Sequence, residues 1–336
     1  MNITVILCTF NRCTCLAKAL GSVAASVLPS SVQWEVLVVD NNSSDRTREV
    51  VEGFCYRYPG RFRYLFEGHQ GKSYALNAGI REARGDVLVF LDDDATVESL
   101  WLHNLTAALS NGEYAGAGGR ILPAQTFSPP RWLALDGPYD PGGILYAHLD
   151  LGDEPRELDR APYGTNMAFR KEVFEKYGGF RTDLGPRPGC EIRNEDTEFG
   201  RRLMAAGERL RYEPSAVVYH DVSEERVKKD YFLGWWFDYG TSRIRETGMR
   251  PAMWGIPRHY FRILKTVGYA LPFVLGWTVA LDPKWRFYCK CRTWYAAGQA
   301  VEIYRMSHGE EAEGGESRKR HNECAVVDVT RGGPRT

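Results

Sequence analysis

Three consecutive carboxylates, Asp92, Asp93 and Asp94, follow an apolar run at 87–91. That run reads as a buried strand, and charges at the end of a buried strand are costly unless something neutralises them. A hard divalent cation such as Mn2+ or Mg2+ prefers carboxylate oxygen and keeps positions open for phosphate oxygens. The triplet therefore points to metal-assisted handling of a phosphate ester. Its competitor is an acidic loop capping a helix that begins near Val97. A second acidic group, Glu195-Asp196 in the run 193–198, opens a helical pattern with Asn194 at its N-cap. Acids in a first turn favour the helix dipole, which alone accounts for Glu195, Asp196 and Glu198.

Two further polar groups follow apolar runs. Cys8-Thr9-Phe10-Asn11-Arg12 comes after 3–7, and Asp40-Asn41-Asn42 comes after 34–39. Between the strands lie helical patterns at 14–26, 45–56 and 71–83, with a third, alternating strand at 61–66. Strand and helix thus alternate four times with short loops, the signature of a parallel sheet covered by helices on both sides. Three polar strand ends then fall on one edge, where open sheets bind nucleotides. A carboxylate such as Asp40 can accept bonds from a base or ribose, and Lys72 can meet a phosphate as a point charge. No G-x-x-x-x-G-K-[ST] or G-x-G-x-x-G follows the first strand, which disfavours a P-loop or dinucleotide fold.

The segments VILCTFNR (5–12), VLVVDNNSSDRT (36–47), GKSYALNAGI (71–80) and VLVFLDDDA (87–95) together resemble an inverting glycosyltransferase of family 2 with the GT-A fold. The resemblance implies that Thr9, Phe10, Arg12, Asp40 and Asn42 hold the nucleotide. It makes the triplet a D-x-D motif, with Asp94 on the metal, Asp92 in the ribose or metal shell and Asp93 as an exchange partner. The segment 161–180 is similar to the family's acceptor side. There Gly164-Thr165-Asn166 lets the backbone approach the donor phosphates or sugar, and Arg170 either pairs with phosphate or caps a strand. The family's E-D pair makes Asp196 the base that takes the acceptor proton, with Glu195 orienting it or binding acceptor. His220, at the end of one or two short strands over 209–219 broken by Pro214, is expected near the metal or diphosphate. Leu233-Gly234-Trp235-Trp236 stands where a processive synthase would show Q-x-x-R-W, so processive polymerisation is disfavoured.

Between these blocks the sequence predicts a helix over 97–109, a strand over 115–122 and an irregular stretch over 128–143. Trp132 and Tyr139 in that stretch could stack on a sugar, although packing is the commoner fate of such rings. A helix rich in aromatics is expected over 224–246.

The 336 residues carry 43 Lys+Arg and 43 Asp+Glu. Zero net charge speaks against a nucleic-acid partner. The N-terminus enters the first strand without a signal-peptide pattern, and the eight cysteines show no zinc-site spacing, so reduced thiols and a cytoplasmic location are expected. From 251 to 306 eight Arg/Lys face two acids, Asp282 and Glu302. The uncharged run 266–281 is short of the roughly 20 residues a spanning helix needs. A helix lying on the inner membrane surface is expected there; packing on the catalytic domain or in a homodimer is the alternative.

The expected architecture is α/β, a mostly parallel Rossmann-like sheet flanked by helices with a C-terminal helical extension. Residues 1–222 form the catalytic domain, divided into a nucleotide-binding half (1–95) and an acceptor-side half (96–222). Residues 223–306 form the helical region and 307–336 a disordered tail. The expected activity is metal-dependent transfer of a sugar from a nucleoside-diphosphate sugar to a glycan or lipid-linked acceptor in cell-surface polysaccharide or glycolipid assembly. A sugar-phosphate nucleotidyltransferase is the enzymatic alternative, but it would want glycines after the first strand, where 8–12 has none. A non-catalytic nucleotide-sugar-binding scaffold is the other.

Overall fold

The computed structural model describes residues 1–124, 129–135, 137–141, 148–222, 224–248 and 258–308. The expected tail beyond His308, and parts of the irregular stretch 128–143, lie outside the described residues.

The N-terminal half alternates as its periodicity demands. It runs β1 (Asn2–Thr9), α1 (Cys13–Ala24), β2 (Gln33–Asp40), α2 (Thr47–Arg57), β3 (Phe62–Phe66), α3 (Lys72–Glu82) and β4 (Val87–Asp92). These four strands pair in parallel in the order β3-β2-β1-β4. Successive side chains on a strand face opposite ways. Ile3, Val5, Leu7, Val36, Val38, Val87 and Val89 therefore pack with α1 residues such as Leu16 and Leu20 on one face. Ile6, Leu37, Val39, Leu88 and Phe90 pack with Leu76 and Ile80 of α3 on the other. Because the strands are parallel, β1, β2 and β4 all end on one edge of the sheet, and their polar residues collect there.

The second half mixes directions. β5 (Ala95–Val97), α4 (Trp101–Ala107), β6 (Gly116–Pro123), β7 (Arg156–Glu157), β8 (Met167–Arg170), α5 (Glu172–Tyr177), α6 (Glu195–Ala205) and β9 (Leu210–His220) follow in order. β8 runs antiparallel between β4 and β6, and β9 runs parallel to β6. Two expectations are corrected here. The helix predicted from Val97 starts only at Trp101, because Thr96 and Val97, both β-branched, extend as β5 against β9. The strand predicted to break at Pro214 runs unbroken, because the β6–β9 register jumps from Gly119↔Glu213 to Arg120↔Val217. Pro214 sits in that bulge, where no β6 partner needs its missing N–H.

A third hydrophobic cluster belongs to the C-terminal helices, α7 (Lys229–Thr247), α8 (Arg258–Val279) and α9 (Pro283–Ser307). A short 3-10 turn, Glu224–Val227, precedes α7. Phe232, Leu233 and Trp236 of α7 pack with Phe287 and Cys291 of α9 and with Leu133 and Val222. Trp132 wedges in, its ring 4.4 Å from Phe287 and 5.6 Å from Phe232. Tyr139 lies 4.8 Å from Trp285. Trp132 is therefore spent on packing, whereas Tyr139 packs on Trp285 yet stays 40% exposed. Where α7 crosses α9, Gly240 and Gly298 bring the backbones together. A Cβ on either would run into the carbonyl of Tyr295 or of Phe237. Among the described residues no helix is long and apolar enough to cross a membrane.

Among the described residues Cys8, Cys13, Cys55, Cys190, Cys289 and Cys291 are free thiols.

Candidate active site

The cleft forms where the carboxyl ends of β1, β2 and β4 meet the segment before β8 and the start of α6. Its loops are held in uncommon backbone shapes. Among the described residues the non-glycine residues with positive φ are Asn11 (52°), Asn42 (67°) and Asn194 (77°). Each sits in a turn bordering the cleft, and Asn is the non-glycine residue that best tolerates this conformation. Asn194 is the N-cap of α6 by position, but its side chain makes no capping bond; its amide instead faces Glu246 at 3.4 Å.

The three aspartates diverge. Asp92 accepts from Lys72 Nζ at 2.7 Å and from Thr165 Oγ1 at 2.5 Å. Asp93 turns toward β1, accepting from Thr9 Oγ1 at 2.7 Å and from Arg12 Nη1 at 3.0 Å. Asp94 faces His220 Nε2 at 3.2 Å, Arg226 Nη2 at 2.8 Å and Arg12 Nη1 at 3.1 Å. Burial alone would raise the Asp94 carboxyl; His220, Arg226 and Arg12 outweigh it and hold it well below the usual range. Asp92 is likewise held low, burial being outweighed by Lys72. Burial and the neighbouring acids push Asp93 up, although Arg12 opposes them.

Asp92, Asp94 and His220 present ligand atoms within 4.8 Å of one another. The β5–β9 ladder makes this possible, because its register sets His220 opposite Ala95, next to Asp94. His220 Nδ1 lies 3.0 Å from the Asp221 carbonyl. The other ring nitrogen, Nε2, faces Asp94 Oδ1 at 3.2 Å. Two carboxylates and an imidazole form a donor set that fits Mn2+ or Mg2+. Asp93 points away, toward Thr9 and Arg12, and is not part of that convergent set.

Lys72 joins this group to the start of α6. Its ammonium lies 3.5 Å from Glu195 Oε1 as well as 2.7 Å from Asp92. Burial would lower Lys72, but Asp92, Glu195 and Asp196 outweigh it and hold it charged. Glu195 is buried, and burial pushes its carboxyl up to about 7 against the opposing pull of Lys72. Asp196 is half-buried and receives two backbone N–H groups, Gly164 and Thr197, each at 2.6 Å. The cleft is narrow there: a Cβ on Gly164 would lie 3.2 Å from Asp196 Oδ2 and 3.6 Å from Lys72 Nζ.

Carboxylates that converge on one face of a nucleotide-type sheet, with three cationic side chains among them, match a known family. The sequence model described as "Glycosyl transferase family 2" matches residues 4–178. The chain belongs to glycosyl transferase family 2. This glycosyltransferase is 30% identical over 231 residues to the succinoglycan biosynthesis protein ExoM of Rhizobium meliloti, a match spanning 68% of this chain and 69% of that one. It is 28% identical over 250 residues to the glucosyl-dolichyl phosphate glucuronosyltransferase of Haloferax volcanii, covering 71% and 76% of the two chains. Its fold is that of the mannosyltransferase PcManGT from Pyrobaculum calidifontis, solved in complex with GDP-Man and Mn2+. The TM-score is 0.59 at 19% identity, with 90% of this chain and 86% of that one covered. The fold is therefore GT-A.

Placed on this glycosyltransferase, the remaining expected residues divide. Asp40 is buried, its oxygens bound by the Ser43 N–H at 2.9 Å and the Tyr64 hydroxyl at 2.8 Å. Phe10 is half-buried and Asn42 exposed at the rim. Asn166 is fully buried, and its amide is spent on the protein. It donates to the carbonyls of Arg120 (2.9 Å) and Ala216 (2.8 Å) and accepts from the Trp101 indole (2.8 Å). The Asn166 side chain thus clamps strands, while Thr165 faces the aspartates. Arg170 donates to the carbonyls of Tyr114 and Leu109, so it supports the fold rather than meeting phosphate. Sequence reasoning missed Arg226 and Asn41. Asn41 ties the end of β2 to the loop before α3 through the Gly71 N–H (2.7 Å) and the carbonyls of Glu67 and His69. Its signal was its place in the loop beside Asp40; Arg226 had none.

Proposed function

We propose that this chain is a metal-dependent inverting glycosyltransferase that moves a sugar from a nucleoside-diphosphate sugar to a hydroxyl of a glycan or lipid-linked acceptor. The observation that carries the reading is the joining of two groups through one side chain. Lys72 reaches Asp92 of the cation-binding set and Glu195 beside Asp196. Donor activation and acceptor deprotonation are thereby brought into one cleft.

In the reaction the acceptor oxygen attacks the anomeric carbon and the bond to the diphosphate breaks, the diphosphate leaving with the electron pair. Asp196 receives the acceptor proton, its carboxylate fixed by the Gly164 and Thr197 amides. Attack from the face opposite the leaving group inverts the configuration. Asp92, Asp94 and His220 would hold Mn2+ or Mg2+, whose chemistry is to stabilise charge on the departing diphosphate. Arg12, Lys72 and Arg226 stand around the same carboxylates and supply fixed positive charge toward that diphosphate. Glu195 positions Lys72. Thr9, Phe10, Asp40 and Asn42 border the nucleotide side.

The acceptor class is supported by relatives whose names place them in succinoglycan biosynthesis and in transfer onto a dolichyl phosphate-linked sugar. No observation favours the nucleotidyltransferase alternative. The test is release of nucleoside diphosphate from a panel of nucleotide sugars with Mn2+ and with chelator, followed by the anomeric configuration of the product. Release that is indifferent to chelator, or a product of retained configuration, would overturn the proposal.

A further inference from the structure

The outer face of α8 carries a row of apolar side chains that no described residue covers. Phe261, Leu264, Val267, Leu271, Leu275 and Val279 are each more than half exposed. Steps of three and four put all six on one side of the helix. At 1.5 Å per residue the 22-residue helix makes that stripe roughly 30 Å long. Leu281, 97% exposed at the turn into α9, continues it. The opposite side of α8 already has its partner: Gly276 lies against Cys289, and Phe273 faces Tyr288 of α9. The stripe is therefore a second apolar face, and exposed patches of such length mark interaction sites.

The charges around it are mostly of one sign. α8 contains no acid. Lys265 is exposed along the stripe, and Lys284 and Arg286 are exposed at the first turn of α9. Both acids of the region are engaged. Asp282 caps α9 by accepting the Trp285 N–H at 2.7 Å, and Glu302, 1% exposed, is paired with Arg245 at 2.5 Å.

We infer that this face docks on an anionic phospholipid bilayer, with α8 lying in the headgroup plane and its apolar row turned toward the acyl chains. A long apolar stripe rimmed by cations is the pattern that holds a helix at such an interface, and anionic headgroups complement the cations. A second copy of the chain fits less well. A two-fold pairing sets a patch against itself and would bring Lys265 and its cationic neighbours against their like. The docked tier is also the one joined to the acceptor side of the cleft. α8 rests on α9 and α9 on α7, whose Ser242 Oγ accepts the Arg193 N–H at 2.8 Å, just ahead of Glu195. This inference does not rest on the reaction proposed above, and its test reads no catalysis.

The full chain is spun with vesicles of phosphatidylcholine alone and of phosphatidylcholine with phosphatidylglycerol. Binding to the anionic vesicles should exceed binding to neutral ones by about tenfold and fall in high salt. Two variants on exposed positions separate the parts of the argument. Leu264→Glu/Leu271→Glu/Leu275→Glu should lose about tenfold or more through the apolar row. Lys265→Glu/Lys284→Glu/Arg286→Glu should lose the preference for phosphatidylglycerol. Circular dichroism checks that each is folded, and if the first is not, the second decides. A wild-type chain that stays in the supernatant with anionic vesicles overturns the inference, as do variants that sediment like it. So does a lipid-independent dimer that the leucine variant dissociates without any vesicle binding, which would assign the face to a second copy.

Discussion

Arg226 Nη2 lies 2.8 Å from Asp94 Oδ2, across 132 positions of sequence. The guanidinium sits in the 3-10 turn before α7 and also approaches His220 Nδ1 at 3.2 Å. The C-terminal region thus contributes a cation to the carboxylate cluster of the N-terminal sheet. Arg226→Ala should weaken Mn2+-dependent donor binding by about 1.5–3 kcal/mol, the scale of a hydrogen bond to a charged group. Calorimetric titration of nucleotide sugar checks this. Unchanged affinity would confine Arg226 to a structural role.

Donor binding and proton removal are assigned to different residues, so two variants should separate them. Asp94→Ala should abolish the Mn2+-dependent part of donor binding. Asp196→Asn should bind donor normally but transfer about 10² to 10⁴ times more slowly, the usual contribution of a general base. Single-turnover assays beside binding titrations distinguish the two. Normal transfer by the second variant removes Asp196 as the base.

Glu195 gives a pH signature in stability. Its folded carboxyl titrates near 7, above its ordinary 4.5. Below 4.5 it is protonated whether folded or unfolded and contributes nothing. As pH rises toward 7 the unfolded chain releases the proton first, so the wild type loses stability, by roughly 3 kcal/mol for a shift of this size. Glu195→Gln mimics the protonated form and should escape that loss. Thermal melts in chelator should show the variant matching wild type near pH 4.5 and gaining on it up to pH 7. A constant difference across that window contradicts the assignment.

Asn166 offers a contrast between support and binding. Asn166→Ala would leave the Arg120 and Ala216 carbonyls and the Trp101 indole without their partner. The cost should be about 3 kcal/mol or more, because orphaned buried polar groups keep their full desolvation penalty. Denaturant unfolding measures it. Any donor affinity retained at low temperature should equal that of wild type, and a selective loss of affinity would restore a direct role.

The N-terminal half was legible because its signals are local. The apolar runs of β1, β2 and β4 and the polar residues at their ends follow from periodicity and chain order alone. The acidic triplet and Lys72 were singled out on that basis, and Lys72 bonds Asp92; preferring Asp92 and Asp94 to Asp93 for the metal came from the family resemblance. What could not be read depends on register. His220 was expected near the metal from the family resemblance alone; its approach to Asp94 follows from pairing opposite Ala95, where Val97 had been read as the start of a helix instead of the end of β5. The direction of the side chains at 165 and 166 was unreadable for a similar reason. A Gly-Thr-Asn run marks close backbone approach, but which of Thr165 and Asn166 faces the cleft is set by the direction in which the chain enters β8. Asn194 looked like an ordinary cap, and only its left-handed φ shows the strained entry into α6.

Gly240 lies against the Tyr295 carbonyl and Gly298 against that of Phe237, and this crossing bears on the wall beside Asp196. Where two helices touch through their main chains, no rotamer can take up a sliding motion between them. Ser242, two residues beyond that contact, grips the amide of Arg193. The wall beside Asp196 is thereby braced like a masonry abutment. That wall is thus anchored to a helix crossing too close to admit a side chain at either glycine.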